Sequence, residues 1–354
     1  MATSGQPSDT DPPQQEVPAS AALVRRALGL VGLVAVLVLV VSVLPGLEEV
    51  RERFNRADPA WLAVTFLCVL ASNLSYVAAL RGTLSRRIGW RASWNLGMAE
   101  QGSNVLLPTG GIGGPALGAL LMRRAGVPSA FATPRSVALF LLTSGASFAA
   151  IVLAGIMTGL GLLPSGVAWV GTLLPAGLAV AVVAAVTALG RLPVGERAHS
   201  PGFFSRWATR LAALLRDGVQ ESFALLRGHD PLVVGGCVGY LAFAVAAVAA
   251  SFQAFGGDGP PIGAFVLAYT LGQVGALIPT PGGVGGTEGG LIGMFVVYGA
   301  PAAQAAAAVL AYRVFQLGLP SVFGLIALNR IRRRLRDEEL TAAVAARFEA
   351  ESVP

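Results

Sequence analysis

Lysine is absent from these 354 residues, and histidine and cysteine occur twice each. Without lysine the chain cannot complete the Gly-Lys-Ser/Thr of a phosphate loop, and no parallel-strand pattern precedes its glycine-rich stretches. Cys68, Cys237, His199 and His229 are too few and too scattered for a zinc site or a disulfide framework, so no metal is expected and both thiols read as small core residues. Charge is scarce too: 12% of residues are charged and 54% are apolar. A water-soluble domain carries roughly twice that charge fraction. Several uncharged runs reach the roughly 20 residues that a helix needs to cross a hydrocarbon core. The chain therefore reads as an all-α polytopic membrane protein. Its basic balance comes from arginine alone, and in such a protein that reports orientation before any nucleic-acid partner.

Residues 1–20 are polar and proline-containing and read as a disordered tail. Arg25 and Arg26 then introduce "ALGLVGLVAVLVLVVSVLP". The long polar leader and the lack of a small-x-small cleavage site make this a first span and not a signal peptide. Hydropathy predicts further spans at 60–80, 136–160, 166–189, 232–254 and 302–327. Two pairs of shorter helices are interrupted, 92–107 with 112–122 and 261–278 with 287–299. A polar insert fills 190–231, and its 203–227 part is amphipathic, which suits the cytoplasmic leaflet or the docking of a partner. The membrane domain thus covers 21–335, and 336–354 form a charged tail.

Arginines gather at 81–91, 123–135, 190–231 and 330–336, while the turns 161–165, 255–260 and 299–301 have none. All the rich segments fall in the cytoplasm if both interrupted pairs are re-entrant hairpins that return to the side they entered. Repeat A (60–160) and repeat B (232–327) then become two inverted repeats, each with a broken re-entrant helical hairpin, and 166–189 is an extra spanning helix. Both termini are expected in the cytoplasm of a cell whose cytoplasmic membrane holds the chain.

The breaks share a phrase: "LLPTGGIGGPALG" at 106–118 and "LIPTPGGVGGTEGG" at 277–290. Pro108, Pro279 and Pro281 interrupt the helices. Gly110, Gly111 and Gly113, with Gly282, Gly283 and Gly285, permit sharp turns. A short helix restarts near Gly114 and near Thr287, and its unpaired N–H groups suit a phosphate or carboxylate. The plainer reading is that the glycines only let helices pack closely. Three ionisable groups fall inside the membrane part: Glu100, Glu288 and Arg313. A central arginine costs about 2.5–3.5 kcal/mol to insert, so it needs a partner or a wet cavity. Arg313 is expected either to pair with Glu288, fixing hairpin against helix, or to line a polar path with it and Thr287. Glu100, Asn95, Gln101 and Asn104 form a polar stripe on the first hairpin. Gln253, Gln273 and Gln316 are weaker candidates.

Those residues carry a resemblance. "ALIPTPGGVGGTEGGLIGMFVVYGAP" and the later Tyr312-Arg313 resemble the C-terminal half of the lysylphosphatidylglycerol synthase transmembrane-region family, also described as flippase-like. "SNVLLP" and "LMRRAGVP" resemble its first-half landmarks, and the likeness covers about 25–335. Many relatives carry an acid and an arginine after the first glycine phrase, and this chain has neither there. The family's aminoacyl-transfer enzymes append a large soluble domain, whereas about 25 residues follow the last span here. The resemblance therefore implies the lipid-moving half: a transporter of an anionic phospholipid or lipid-linked substrate, with no cofactor and no catalytic residue. Under this reading Glu288, Arg313, Thr287, Glu100, Asn104 and the glycines of both phrases form the substrate site. The alternatives are a membrane enzyme acting on lipid headgroups and a non-transporting partner of envelope-lipid synthesis enzymes.

Overall fold

The computed structural model describes residues 48–191 and 203–351 except 110, 126, 165, 258 and 279, and these are helical with no strand among them. The expected tail 1–20 and first span lie outside the described residues, as do Gly110 and Pro279. A short helix α1 (Glu48–Asn55) precedes the span expected at 60–80 and is held by ion pairs between Arg53 and Glu49 and between Arg56 and Glu52. There follow α2 (Pro59–Thr83), the interrupted pair α3 (Trp90–Leu106) and α4 (Gly113–Arg124), α5 (Ser129–Gly159), α6 (Trp169–Leu189) and the insert helix α7 (Phe203–Arg227). The second half repeats the order with α8 (Pro231–Ala254), the interrupted pair α9 (Ile262–Gly272) and α10 (Gly286–Val297), and α11 (Ala302–Glu351). Among the described residues five helices are long and apolar enough to cross a membrane: α2, α5, α6, α8 and the Ala302–Arg336 part of α11.

Local chemistry sets several of these boundaries. Asp58 and Asp230 each precede a proline and accept the N–H two residues on, Ala60 at 2.8 Å and Leu232 at 2.9 Å. Both long helices that open a half therefore start on the same Asp-Pro cap, in which proline fills a position whose N–H would be unpaired anyway. The other end of the second half departs from expectation. α11 does not stop near 327 but continues unbroken through the arginine run to Glu351. Hydropathy marks where a helix leaves lipid and not where it ends, and no glycine or proline follows Gly324 until Pro354. α9 also stops early, tightening into a 3₁₀ turn over Gln273–Leu277 before the break.

The packing is reciprocal. α2 lies along α8, the most extensive contact among the described helices. The first arm of each interrupted pair leaves its own half and packs on the last helix of the other: α3 on α11, and α9 on α5. Small residues make the first of these crossings possible. A Cβ on Gly102 would sit 2.8 Å from the Pro320 carbonyl oxygen and from Gly324 Cα, so the two backbones touch directly. α7 is not a detached surface helix. Arg135 of α5 pairs with its Glu221 at 2.9 Å, and Val219 is buried against Gly190. Expected apolar positions Phe204, Trp207 and Leu211 lie outside the described side chains.

Candidate functional site

The second break is built by a carboxylate and a guanidinium. Gly282 turns the chain at φ +63°, a region open to glycine but strained for other residues. Glu288, three residues after the N-cap Gly285, reaches back to accept its N–H at 2.7 Å, so it caps α10 as the capping box does. Its other oxygen accepts from Arg313 Nε at 2.7 Å, and both residues are 5% exposed. Arg313 goes on to donate to Gln316 Oε1 at 2.8 Å and to the Gly282 carbonyl at 2.5 Å. The pair thus ties α11 to both sides of the break. Loss of either member would leave the other charge buried alone.

The first break has no such ion pair. Asn104 Oδ1 accepts from Gly114 N–H at 2.6 Å, and Thr109 Oγ1 from Gly113 N–H at 3.0 Å. The first N–H groups of α4, expected free for an anion, are therefore satisfied by protein. Glu100 is 1% exposed and accepts from the Tyr76 hydroxyl at 2.7 Å. Its Oε1 has no hydrogen-bond partner, and Gly118 makes room for it, since any Cβ there would overlap the carboxyl.

The two breaks approach each other, with Gly282 against Val105 and Leu317, and between them and the long helices lies a cavity of about 320 Å³. It is lined in the middle turns of those helices, by Asn73 and Tyr76 of α2, Thr143 and Ser147 of α5, and Tyr240 of α8. Of the expected site residues, Arg313, Thr287, Gly282, Gly283, Gly111 and Asn104 line it. Glu288, Glu100, Gly113 and Gly285 stand outside its wall, as do Pro108 and Pro281, and Gly110 lies outside the described residues. Gln101, Gln273 and Gln316 are on the wall, and Asn95 and Gln253 are not.

Sequence reasoning named Tyr312 only as part of a resemblance and missed the other phenols. Tyr76, Tyr240, Tyr269 and Tyr312 converge on the cavity, with the Tyr269 and Tyr312 hydroxyls 3.1 Å apart. The chain has only 5 tyrosines, and these four sit within otherwise greasy helices, which was the available signal. Two buried polar atoms on the wall lack a hydrogen-bond partner: Asn73 Oδ1 and Thr287 Oγ1. One asks for a donor and the other can give or accept, so together they suit a ligand rich in hydroxyl or phosphate oxygen.

Long apolar helices around a cavity with polar side chains on its wall define a multi-pass membrane protein. Residues 27–324 match the Lysylphosphatidylglycerol synthase TM region family, and the chain belongs to it. Membership implies a lipid-related role in the membrane. No curated protein and no solved structure matches the chain.

Proposed function

We propose that this protein carries an anionic lipid across the cytoplasmic membrane, holding the headgroup in the central cavity while the acyl or isoprenoid chains stay in the bilayer. The observation that carries this reading is the cavity itself, framed by both breaks and presenting the unpartnered Asn73 Oδ1 and Thr287 Oγ1. A lipid head supplies oxygens and hydroxyls for both. On this reading the halves 60–160 and 232–327 are inverted copies with re-entrant hairpins, and they rock about the cavity to expose it to each side in turn. The exchange of α3 and α9 between halves supports that symmetry. The arginines supply the orientation. Arg81 in the last turn of α2, Arg86 just after it, Arg124 at the end of α4, Arg135 early in α5 and the run on α11 sit toward one end of the bundle, and on this reading that end is cytoplasmic, where positive charge is favoured. The protein then acts as a carrier and not as an enzyme.

Reconstituted vesicles test it by following a labelled anionic phospholipid from one leaflet to the other. Asn73→Leu and Thr287→Val remove the open hydrogen-bonding positions at nearly constant volume. Each should slow translocation about tenfold, the equivalent of one lost hydrogen bond of about 1.4 kcal/mol, while thermal stability holds. Transport by both variants at the wild-type rate would remove the cavity from the mechanism.

A further inference from the structure

A second cavity, of about 560 Å³, lies at the arginine-rich end and shares no lining residue with the first. It is walled by the segment after α2, the start of α3, the α4–α5 junction and the stretch of α11 beyond the expected span 302–327. Most of its wall is aliphatic or aromatic, with Ile88, Leu121, Met122, Phe131, Ile331 and Leu335 among the residues that face it. Its charged members are Arg87 and Arg334, both exposed.

Two other arginines near this end have acidic partners. Arg86 is paired with Asp230 at 2.8 Å and Arg135 with Glu221 at 2.9 Å. Neither Arg87 nor Arg334 meets an acidic partner among the described residues. Arg87 only stacks over the Phe131 ring at 4.8 Å, which fixes its guanidinium at the rim and leaves its N–H groups open. Inside, Asn95 carries a buried amide oxygen with no partner. An apolar chamber, two cations at its rim without an acidic partner among the described residues, and an acceptor in need of a hydroxyl make complementary features for one kind of molecule.

We propose that this chamber is a binding site for an anionic phospholipid. One acyl chain fills the cavity, the phosphate lies between Arg87 and Arg334, and a headgroup hydroxyl donates to Asn95. The site is a place of residence and not part of the transport path. It joins α3 and α4 to the α11 extension, so an occupied site steadies the first hairpin against the last helix. The proposal does not depend on lipid being carried through the central cavity.

Native mass spectrometry and thermal unfolding of the detergent-purified full chain test it, with phosphatidylglycerol, phosphatidylcholine or inorganic phosphate added. Phosphatidylglycerol should stay bound and raise the melting temperature, whereas the other two should not. Removing two rim charges in Arg87→Gln/Arg334→Gln should weaken that binding roughly thirty-fold. Ala92→Phe, which obstructs the chamber without touching a charge, should weaken it as well and controls for altered folding. The proposal is overturned if phosphatidylglycerol binds the double variant as it binds wild type. Equal stabilisation by phosphatidylcholine, or by phosphate alone, overturns it too.

Discussion

At the first break Asn104 and Thr109 hold the start of α4 through neutral hydrogen bonds. At the second, Glu288 and Arg313 hold the start of α10 through a buried ion pair that also grips the Gly282 carbonyl. The carboxyls make the contrast sharper. Glu100 faces a phenol and Glu288 a guanidinium, although both are buried on an arm of an interrupted pair. A buried backbone that leaves its helix needs its polar groups satisfied locally. The two breaks meet that need by different chemistry. The ionic solution resists local change, because each charge depends on the other, whereas the neutral one loses hydrogen bonds singly.

The largest expected effect follows directly. Arg313→Met or Glu288→Gln should destabilise the protein by about 3–5 kcal/mol, read as thermal unfolding in detergent, because the surviving charge stays buried. Glu288→Gln/Arg313→Met should lose less than the sum of the two, since no lone charge remains. Glu100→Gln keeps an acceptor for Tyr76 and strands no cation, so about 1 kcal/mol is expected. Equal losses at Glu100 and Glu288 would erase the distinction between the breaks.

Backbone packing separates them next. A Cβ at Gly275 would overlap the Gly286 carbonyl oxygen of the facing arm, and neither backbone can withdraw alone. Gly275→Ala should therefore cost about 1–3 kcal/mol, toward the upper end. Gly111 has open space around it and only its φ of +91° to defend, so Gly111→Ala should cost about 1–2 kcal/mol. Asn104→Ala removes one helix cap, worth about 1 kcal/mol. Melting temperatures of the three variants, measured in one detergent, give the order.

The sequence carried much of this arrangement, and the gaps have physical causes. Hydropathy located α2, α6 and α8 closely, because a run of apolar residues bounded by prolines or charge records both the helix and its solvent. The prolines and glycines located the breaks, because backbone geometry is local. It could not show that Asn104 reaches Gly114, that Glu100 meets Tyr76, or that four tyrosines share one cavity. Those contacts join positions 10, 24 or more residues apart, so they depend on how helices cross and not on what any segment prefers. The helical continuation of α11 was missed for the opposite reason. Its arginines mark the end of the lipid, and the run has no helix breaker.

The smallest effect concerns the caps that open the two halves. Asp58 and Asp230 make the same N-terminal hydrogen bond, but only Asp230 has an arginine across from it, with Arg86 Nη2 at 2.8 Å. The hydrogen bond from Arg86 holds the Asp230 carboxyl below its ordinary value, against a smaller opposing push from burial, with the Leu232 N–H adding to the lowering. A carboxyl whose folded value is depressed adds stability above its unfolded value of about 4 and gives it up as pH falls through the folded value. Arg86→Gln should therefore lower stability slightly near pH 7 and leave it unchanged at pH below the folded value, so that the fall between pH 7 and pH 3 becomes shallower. The pair is exposed to solvent, so the loss should be small and shrink in high salt. Melting temperatures between pH 3 and 7, at low and high ionic strength, read it directly. Unchanged stability near pH 7 would mean that Arg86 contributes nothing to this cap, and that the two halves open on equivalent turns.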